Sequence, residues 1–221
     1  MRLYYFPASL NARRAVMTAI HLGVDVDLVV VDLAKGEQRR ADFLEKNPNG
    51  KVPVLEDDGF VLSESHAIMQ YLADRTPDQS LYPGELRARA DVNRWLFWSA
   101  HHFTPAVSIL NWENCVRRIL GLGEPDPVAV KRGEALVTEG ARVLDAHLAG
   151  KPWIAQDRLT LADLAIAAPL MVIRQAKLPV NDFANLMVWL RRVQSLDAWK
   201  KTDPSDNRFP LARQMSDCAT P

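Results

Sequence analysis

The sequence predicts two units in series: an α/β unit built on a mixed sheet, then an all-helical unit. Strand and helix signals alternate through the first third of the chain, and beyond a proline-containing connection the strand signal disappears. A length of 221 residues fits one large or two small domains, and is enough to bury a sizeable core without staples.

Residues 3–6 form a short apolar and aromatic run stopped by Pro7, which predicts a buried strand. Ser9 then caps a helix carrying Val16, Ala19 and Ile20 at i, i+3, i+4 spacing, closed by Gly23. Residues 26–31 are rich in β-branched side chains and predict a second strand. The charged segment 38–46 predicts a short exposed helix ending before the loop signal Asn47-Pro48-Asn49-Gly50. Apolar runs at 52–55 and 60–62 flank Glu56-Asp57-Asp58-Gly59, and Asp-Gly between such runs predicts a hairpin. Ser65 is expected to cap a helix with Ile68, Tyr71 and Leu72 on one face. A β-α-β crossover implies parallel pairing and a tight hairpin antiparallel pairing, so the sheet is expected to be mixed.

Residues 77–84, with Pro77 and Pro83, are expected to link a first domain at 1–76 to a second at 85–221. In the second, 85–120 predicts one long helix or two joined near Pro105. Helices are also predicted at 127–148, 161–176 and 183–193, with Pro169 kinking the 161–176 helix or marking its start. The polar, proline-containing tail from Thr202 is expected to be irregular.

Composition limits the function. Lys+Arg and Asp+Glu both number 27, which argues against a broad electrostatic footprint for nucleic acid or an anionic membrane and leaves room for a local basic pocket. The two cysteines, Cys115 and Cys218, give neither a disulfide framework nor a Cys-x-x-Cys pair. Cys115 is expected to be a small core residue and Cys218 an exposed thiol. The N-terminus lacks an apolar signal region, and the most apolar later stretch, 161–173, contains Asp163 and Pro169 and is too short to span a bilayer. A mature cytosolic protein is expected. His101-His102 lacks i, i+4 spacing and a carboxylate companion, so no metal site is expected. Arg13-Arg14, Arg39-Arg40 and Arg191-Arg192 are expected to lie on solvated helix faces.

Three places could carry chemistry. Pro53 opens a strand, where a cis peptide would leave the Val52 N–H and C=O free for an extended peptide ligand; it could equally be a proline that protects a sheet edge. Glu64 and Ser65 precede a helix whose N-terminus can hold a carboxylate beside an ammonium, as in an α-amino acid head group, although an N-cap alone explains the serine. Ser9 has the same two readings. No Ser-His-Asp relay surrounds it, so its hydroxyl would donate to a bound thiolate, and Asn11 and Tyr5 could donate at nearly the same place.

These segments fall in one order: Tyr5-Phe6-Pro7-Ala8-Ser9-Leu10-Asn11, then Asn49-Gly50-Lys51-Val52-Pro53-Val54, then Leu62-Ser63-Glu64-Ser65-His66-Ala67-Ile68. Together they resemble the N-terminal domain of cytosolic glutathione transferases. Trp153-Ile154-Ala155-Gln156-Asp157-Arg158-Leu159-Thr160-Leu161-Ala162-Asp163 resembles that family's C-terminal capping box and hydrophobic staple, with Thr160 and Asp163 as capping partners. The resemblance implies a thioredoxin-like domain followed by an all-α domain, usually as a homodimer. It further implies glutathione as cosubstrate with no permanently bound cofactor, an apolar electrophile pocket between the domains, and no nucleic-acid or membrane partner. Pro53 would be the cis-proline, Val52 would pair with the cysteinyl unit, and Glu64 and Ser65 would bind the γ-glutamyl head. Gln38 and Arg39 fall where phi-like and theta-like classes place ligands for the glycine carboxylate, with Lys51 beside them, although Gln38 stands where a histidine is usual.

Ser9 and Asn11 resemble the serine classes, while Tyr5 matches the tyrosine classes. Ser9 is preferred as the activating residue, since a strand tyrosine in this register would turn its ring into the core. No cysteine lies nearby for an enzyme–glutathione disulfide. Trp98, His102 and Trp112 are candidate linings of the electrophile pocket, with core or dimer-interface roles as the alternative for the tryptophans. The expected function is glutathione transfer to a hydrophobic electrophile. Glutathione-dependent peroxide or disulfide reduction, and a non-catalytic interaction role on the same fold, are the alternatives.

Overall fold

The structure is a computed structural model that describes residues 1–203. Strands β1 (Arg2–Tyr5), β2 (Asp27–Val30), β3 (Val54–Asp57) and β4 (Phe60–Ser63) form one sheet in the order β2-β1-β3-β4. β1 runs parallel to β2, with Leu3 opposite Leu28, and antiparallel to β3, with Leu3 opposite Leu55. The sheet is therefore mixed, as the sequence predicts. Asp58 and Gly59 close the β3–β4 hairpin with φ values of 47° and 85°, the left-handed pair that a two-residue turn of matching twist requires.

Helix α1 (Leu10–Leu22) connects β1 to β2, and α3 (Ser65–Arg75) follows β4. Both pack on one face of the sheet, where Leu3 and Leu55 meet Ala15, Val16 and Ala19 of α1 and Ile68 and Leu72 of α3. Alternation sends Tyr4 and Val54 to the other face, which Phe43 of α2 (Ala41–Leu44) and Cys115 help to cover. The expected helix at 38–46 is two shorter pieces, a 3₁₀ turn at Glu37–Arg39 and α2, with extended Arg40 between them. Phe43 is the one fully buried side chain in either piece, too little to hold a longer helix in place.

Past residue 85 the chain is helical. α4 (Leu86–Trp98), α5 (Thr104–Asn111) and α6 (Arg117–Ile119) are joined end to end by π-helical turns at Ser99–Phe103 and Trp112–Val116. The expected joint near Pro105 is thus a wide π turn just before it, which absorbs a residue with no N–H to give the preceding turn. α7 (Pro127–Leu148) packs against this long helix, and α9 (Ala184–Gln194) and α10 (Asp197–Lys200) close the unit. α8 (Leu161–Ala167) continues as a 3₁₀ segment, Ala168–Val172, that contains Pro169. The expected capping box is present: Asp163 Oδ2 accepts from the Thr160 N–H at 2.8 Å and from its Oγ1 at 3.0 Å. Asp163 Oδ1 accepts from the Ile154 N–H at 2.9 Å and the Trp189 indole N–H at 2.8 Å, so one carboxylate ties three segments together.

α1 stands between the units and is buried almost all round. Its Ala15, Val16 and Ala19 join the sheet core, while Leu10 and Met17 join the large helical core. Arg13 and Arg14, expected on a solvated face, are therefore buried, at 3% and 1% exposure. Arg13 stacks over the Trp199 ring at 3.8 Å and donates to the Trp199 carbonyl at 3.1 Å. Among the described residues no helix is long and apolar enough to cross a membrane. Cys218 and most of the tail expected to be irregular lie outside the described residues.

Candidate active site

β1 ends at Tyr5, and the Pro7-Ala8-Ser9 corner turns the chain into α1. Ser9 is the N-cap, as expected: its Oγ accepts from the Ala12 N–H at 3.2 Å. With that lone pair engaged by the helix, the hydroxyl proton is left to donate outward.

The expected N-cap at Ser65 is different. Ser65 is already the first helical residue, and Glu64 occupies the cap position with φ 69° and ψ 111° and no side-chain cap. The Glu64 carbonyl accepts from the Ile68 N–H at 3.0 Å. The abrupt turn from β4 into α3 forces Glu64 into the left-handed region, where a non-glycine residue is strained by about 1–3 kcal/mol. Such strain persists where the surroundings impose a particular geometry.

Between these corners runs the loop at 47–53. The side chain of buried Asn47 donates to the Lys51 carbonyl at 2.7 Å and accepts from the Asn49 N–H at 3.1 Å. Gly50 has φ +59°, and a Cβ there would lie 3.0 Å from the Gln38 carbonyl oxygen. The Val52–Pro53 peptide is cis, and among the described residues the Val52 N–H and C=O have no backbone partner.

Two cavities open on this framework. One, of about 230 Å³, is polar and lined by Lys51, Val52, Pro53, Glu64, Ser65 and His66, with Arg14 from α1 and Thr104 from α5. The other, of about 300 Å³, is mainly apolar and lined by Phe6, Ala8, Ser9, Leu33, Val116, Ile119 and Leu120, with buried Asn111. Both include Asn11 of α1 and Ser108 of α5 in their walls. The structure thus gathers Ser9, Asn11, Lys51, Val52, Pro53, Glu64 and Ser65 around one adjoining pair of cavities.

Other predicted residues stand apart from them. Tyr5 lines a separate small cavity with Pro7, Arg13 and Leu28, and burial raises its pKa. Gln38 and Arg39 line neither of these cavities; the Gln38 backbone abuts Gly50, its Oε1 is buried without a partner among the described residues, and of the basic residues predicted for this contact Lys51 is the one in the wall. Trp98 packs away from both cavities, stacked on Phe103 at 5.5 Å and edge-on to Trp95 at 5.3 Å. His102 and Trp112 are exposed and line neither.

Arg14, His66, Thr104 and Ser108 on the polar wall, and Leu33, Asn111, Val116 and Ile119 on the apolar one, escaped sequence reasoning. No sequence signal marked Arg14, because Asn11, Arg14, Thr18 and His21 fall on one stripe of α1 that reads as a solvated polar face. His66 is not a base at neutral pH, because burial and then the neighbouring Arg14 charge hold its pKa down to about 2.

Comparison with known proteins decides the family. The glutathione S-transferase N-terminal domain family matches residues 3–80, and its C-terminal counterpart matches residues 103–197. Glutathione S-transferase 3 of Zea mays is 34% identical over 208 residues, covering 91% of this chain and 92% of the relative. The chain belongs to the glutathione S-transferase family. The enzymatic activity that accompanies membership is glutathione transfer.

Among solved structures, glutathione transferase F7 of Populus trichocarpa superposes with a TM-score of 0.85 at 27% identity, covering 93% of this chain and 99% of that one. A delta-class glutathione transferase of Nilaparvata lugens gives a TM-score of 0.81 at 30% identity, covering 98% and 99%. The mixed sheet with its helices is accordingly the thioredoxin-like domain of the family, and the helices that follow are its all-α domain.

Proposed function

We propose that the protein conjugates glutathione to small hydrophobic electrophiles, with the Ser9 hydroxyl hydrogen-bonded to the attacking thiolate. The observation that carries this reading is the pairing of a polar and an apolar cavity across Asn11 and Ser108, beside the N-cap serine of α1. In this reading the unpaired Val52 backbone takes the cysteinyl unit in strand-like fashion, and Glu64 and Ser65 take the ammonium and carboxylate of the γ-glutamyl head. Lys51 faces the glycine carboxylate, with Gln38 and Arg39 behind its loop.

The energetics are sufficient. A free thiol with a pKa near 8.5 is only a few per cent ionised at neutral pH, and lowering that by about two units requires roughly 2.7 kcal/mol of preferential thiolate stabilisation. A hydrogen bond to a charged group contributes about 1.5–3 kcal/mol, and a helix N-terminus about 0.3–1 kcal/mol. The thiol proton leaves to solvent; the sulfur then forms a bond to the electrophilic carbon as the leaving group departs with its electron pair. The rest of the catalysis is positioning of the electrophile in the apolar cavity.

The reading includes glutathione as cosubstrate with no permanently bound cofactor, a homodimer and a cytoplasmic location. Exposed Phe60 and Phe97 support a further buried surface, and sedimentation tests it. Retention on immobilised glutathione, followed by parallel assays with an aryl halide and a hydroperoxide, tests the activity. Binding with aryl halide turnover is expected. Hydroperoxide turnover alone would replace conjugation by reduction, and no retention would remove the enzyme reading.

A further inference from the structure

Arg14 is a cation with nothing to balance it. Its guanidinium is 1% exposed and bridges three elements: Nη1 donates to a His66 ring nitrogen at 2.8 Å, and Nη2 donates to Thr104 Oγ1 at 2.9 Å. Both partners are neutral, because His66 is held unprotonated. Nε is buried without a partner, and among the described residues no carboxylate pairs with the group. Burial lowers its pKa to about 9, so it stays charged at neutral pH. A buried charge without a counterion is strongly unfavourable, and an apolar side chain of similar volume would serve the fold as well or better. The position is nevertheless not a sealed core: Arg14 lines the polar cavity beside Ser65 and His66, at the N-terminus of α3.

We propose that Arg14 is the countercharge for the α-carboxylate of the γ-glutamyl unit, and the residue that makes this cavity select a carboxylate there. The inference rests on the glutathione reading above. An arginine can only donate, so the nearer ring nitrogen of His66, Nε2, accepts and the ring proton sits on Nδ1. Arg14 thereby fixes the tautomer and orientation of His66, while Ser65 and the first N–H groups of α3 face the same anion from the other side. The ligand supplies the negative charge that the ligand-free fold lacks.

Two ligands and one variant test this. Calorimetry on the full chain compares glutathione with an analogue in which the γ-glutamyl α-carboxylate is a carboxamide, for the wild type and for Arg14→Met. The wild type is expected to bind glutathione about ten- to a hundredfold more tightly than the carboxamide. Arg14→Met is expected to bind glutathione weaker by a similar factor and to lose that preference. Its ligand-free Tm is expected to be unchanged or a few degrees higher, since an uncompensated charge has been removed.

Wild-type affinity for glutathione in Arg14→Met, or a retained preference for the carboxylate, overturns the proposal. A lower Tm with unchanged binding does so too, by making Arg14 purely structural. If the variant does not fold, the wild type decides alone, and equal binding of the two ligands overturns it. Failure of the wild type to bind either ligand would instead refute the glutathione reading on which this rests.

Discussion

Ser9 serves two purposes that can be separated by choice of substitution. As N-cap of α1 its oxygen accepts from the Ala12 N–H at 3.2 Å, and as thiolate donor it would use its proton. Ser9→Ala removes both, whereas Ser9→Gly removes the hydroxyl but loses only a few tenths of a kcal/mol of capping, because glycine is itself a tolerated N-cap. Loss of one charge-assisted hydrogen bond of about 1.5–3 kcal/mol is expected to raise the kinetic pKa of the bound thiol by roughly one to two units. If the wild-type value is near 6.5, the thiolate fraction at pH 7 falls by roughly three- to twenty-five-fold. Higher intrinsic nucleophilicity of the more basic thiolate offsets part of that loss. The assay is kcat/KM for an aryl halide from pH 5.5 to 9.5. Both variants should be slow at pH 7 and approach the wild type at high pH, while Ser9→Ala alone loses roughly 2–4 °C in Tm for its missing cap of about 1 kcal/mol. An unchanged pH–rate profile in both would refute the assignment and direct attention to Asn11, which stands in the wall of both cavities.

Tyr5→Phe should leave kcat/KM within about twofold, since Tyr5 lines a different cavity; a loss matching that of Ser9→Gly would contradict this. Gly50→Ala places a Cβ 3.0 Å from the Gln38 carbonyl at φ +59°, so a loss of about 1–2 kcal/mol in a thermal melt is expected, with weaker glutathione binding as the Val52 loop shifts. Ala34→Trp should narrow the apolar cavity and raise KM for a bulky electrophile by at least about tenfold, with glutathione affinity unchanged by calorimetry. Asp163→Ala strips acceptors from the Thr160, Ile154 and Trp189 donors and should destabilise by about 3–5 kcal/mol in denaturant unfolding. Burial raises the Asp163 pKa to about 6, above its unfolded value, so its contribution is fully present below about pH 4 and is lost as pH rises to about 6. The stability difference between wild type and non-titrating Asp163→Asn should accordingly shrink by up to about 3 kcal/mol over that window.

What was legible in the sequence was whatever depends on neighbours along the chain. The Asp58-Gly59 turn, the Ser9 cap and the Thr160–Asp163 box are written in contiguous residues, and each has the predicted geometry. Ser65 is the local exception, because the left-handed Glu64 carries the chain into α3 one residue early. The linings of the cavities are set by which helix faces meet, which contiguous residues do not state. Each π turn in the long helix adds roughly one residue to its repeat, which rotates everything beyond it by about 100°. Trp98 and His102, expected in the lining, lie off the face that reaches the cavities, which carries Ala100, Thr104, Ser108 and Asn111. The arginine pair was misread because sequence alone does not reveal that α1 is enclosed by two cores.

That enclosure explains how one helix can serve both cavities. Ser9, Asn11 and Arg14 lie within the cap and first turns of α1, whose later residues are locked on one side by Leu3 and Leu55 and on the other by the helical core through Met17. The N-terminus of α1 therefore cannot shift without disturbing both units, and the positions of Ser9 and Arg14 relative to Ser65 are fixed by core packing. The apolar cavity is built on a different principle. Leu33 and Ala34 come from the connection after β2, and Val116, Ile119 and Leu120 from the frayed end of the long helix before Gly121, all of them only partly buried or exposed. Leu33, Val116 and Ile119 still pack against the Phe6 and Val54 cluster, whereas substitutions at exposed Ala34 and Leu120 alter the shape of the cavity without entering the core. A rigid wall for the polar cavity and a more adjustable one for the apolar cavity thus follow from where each set of residues sits relative to α1.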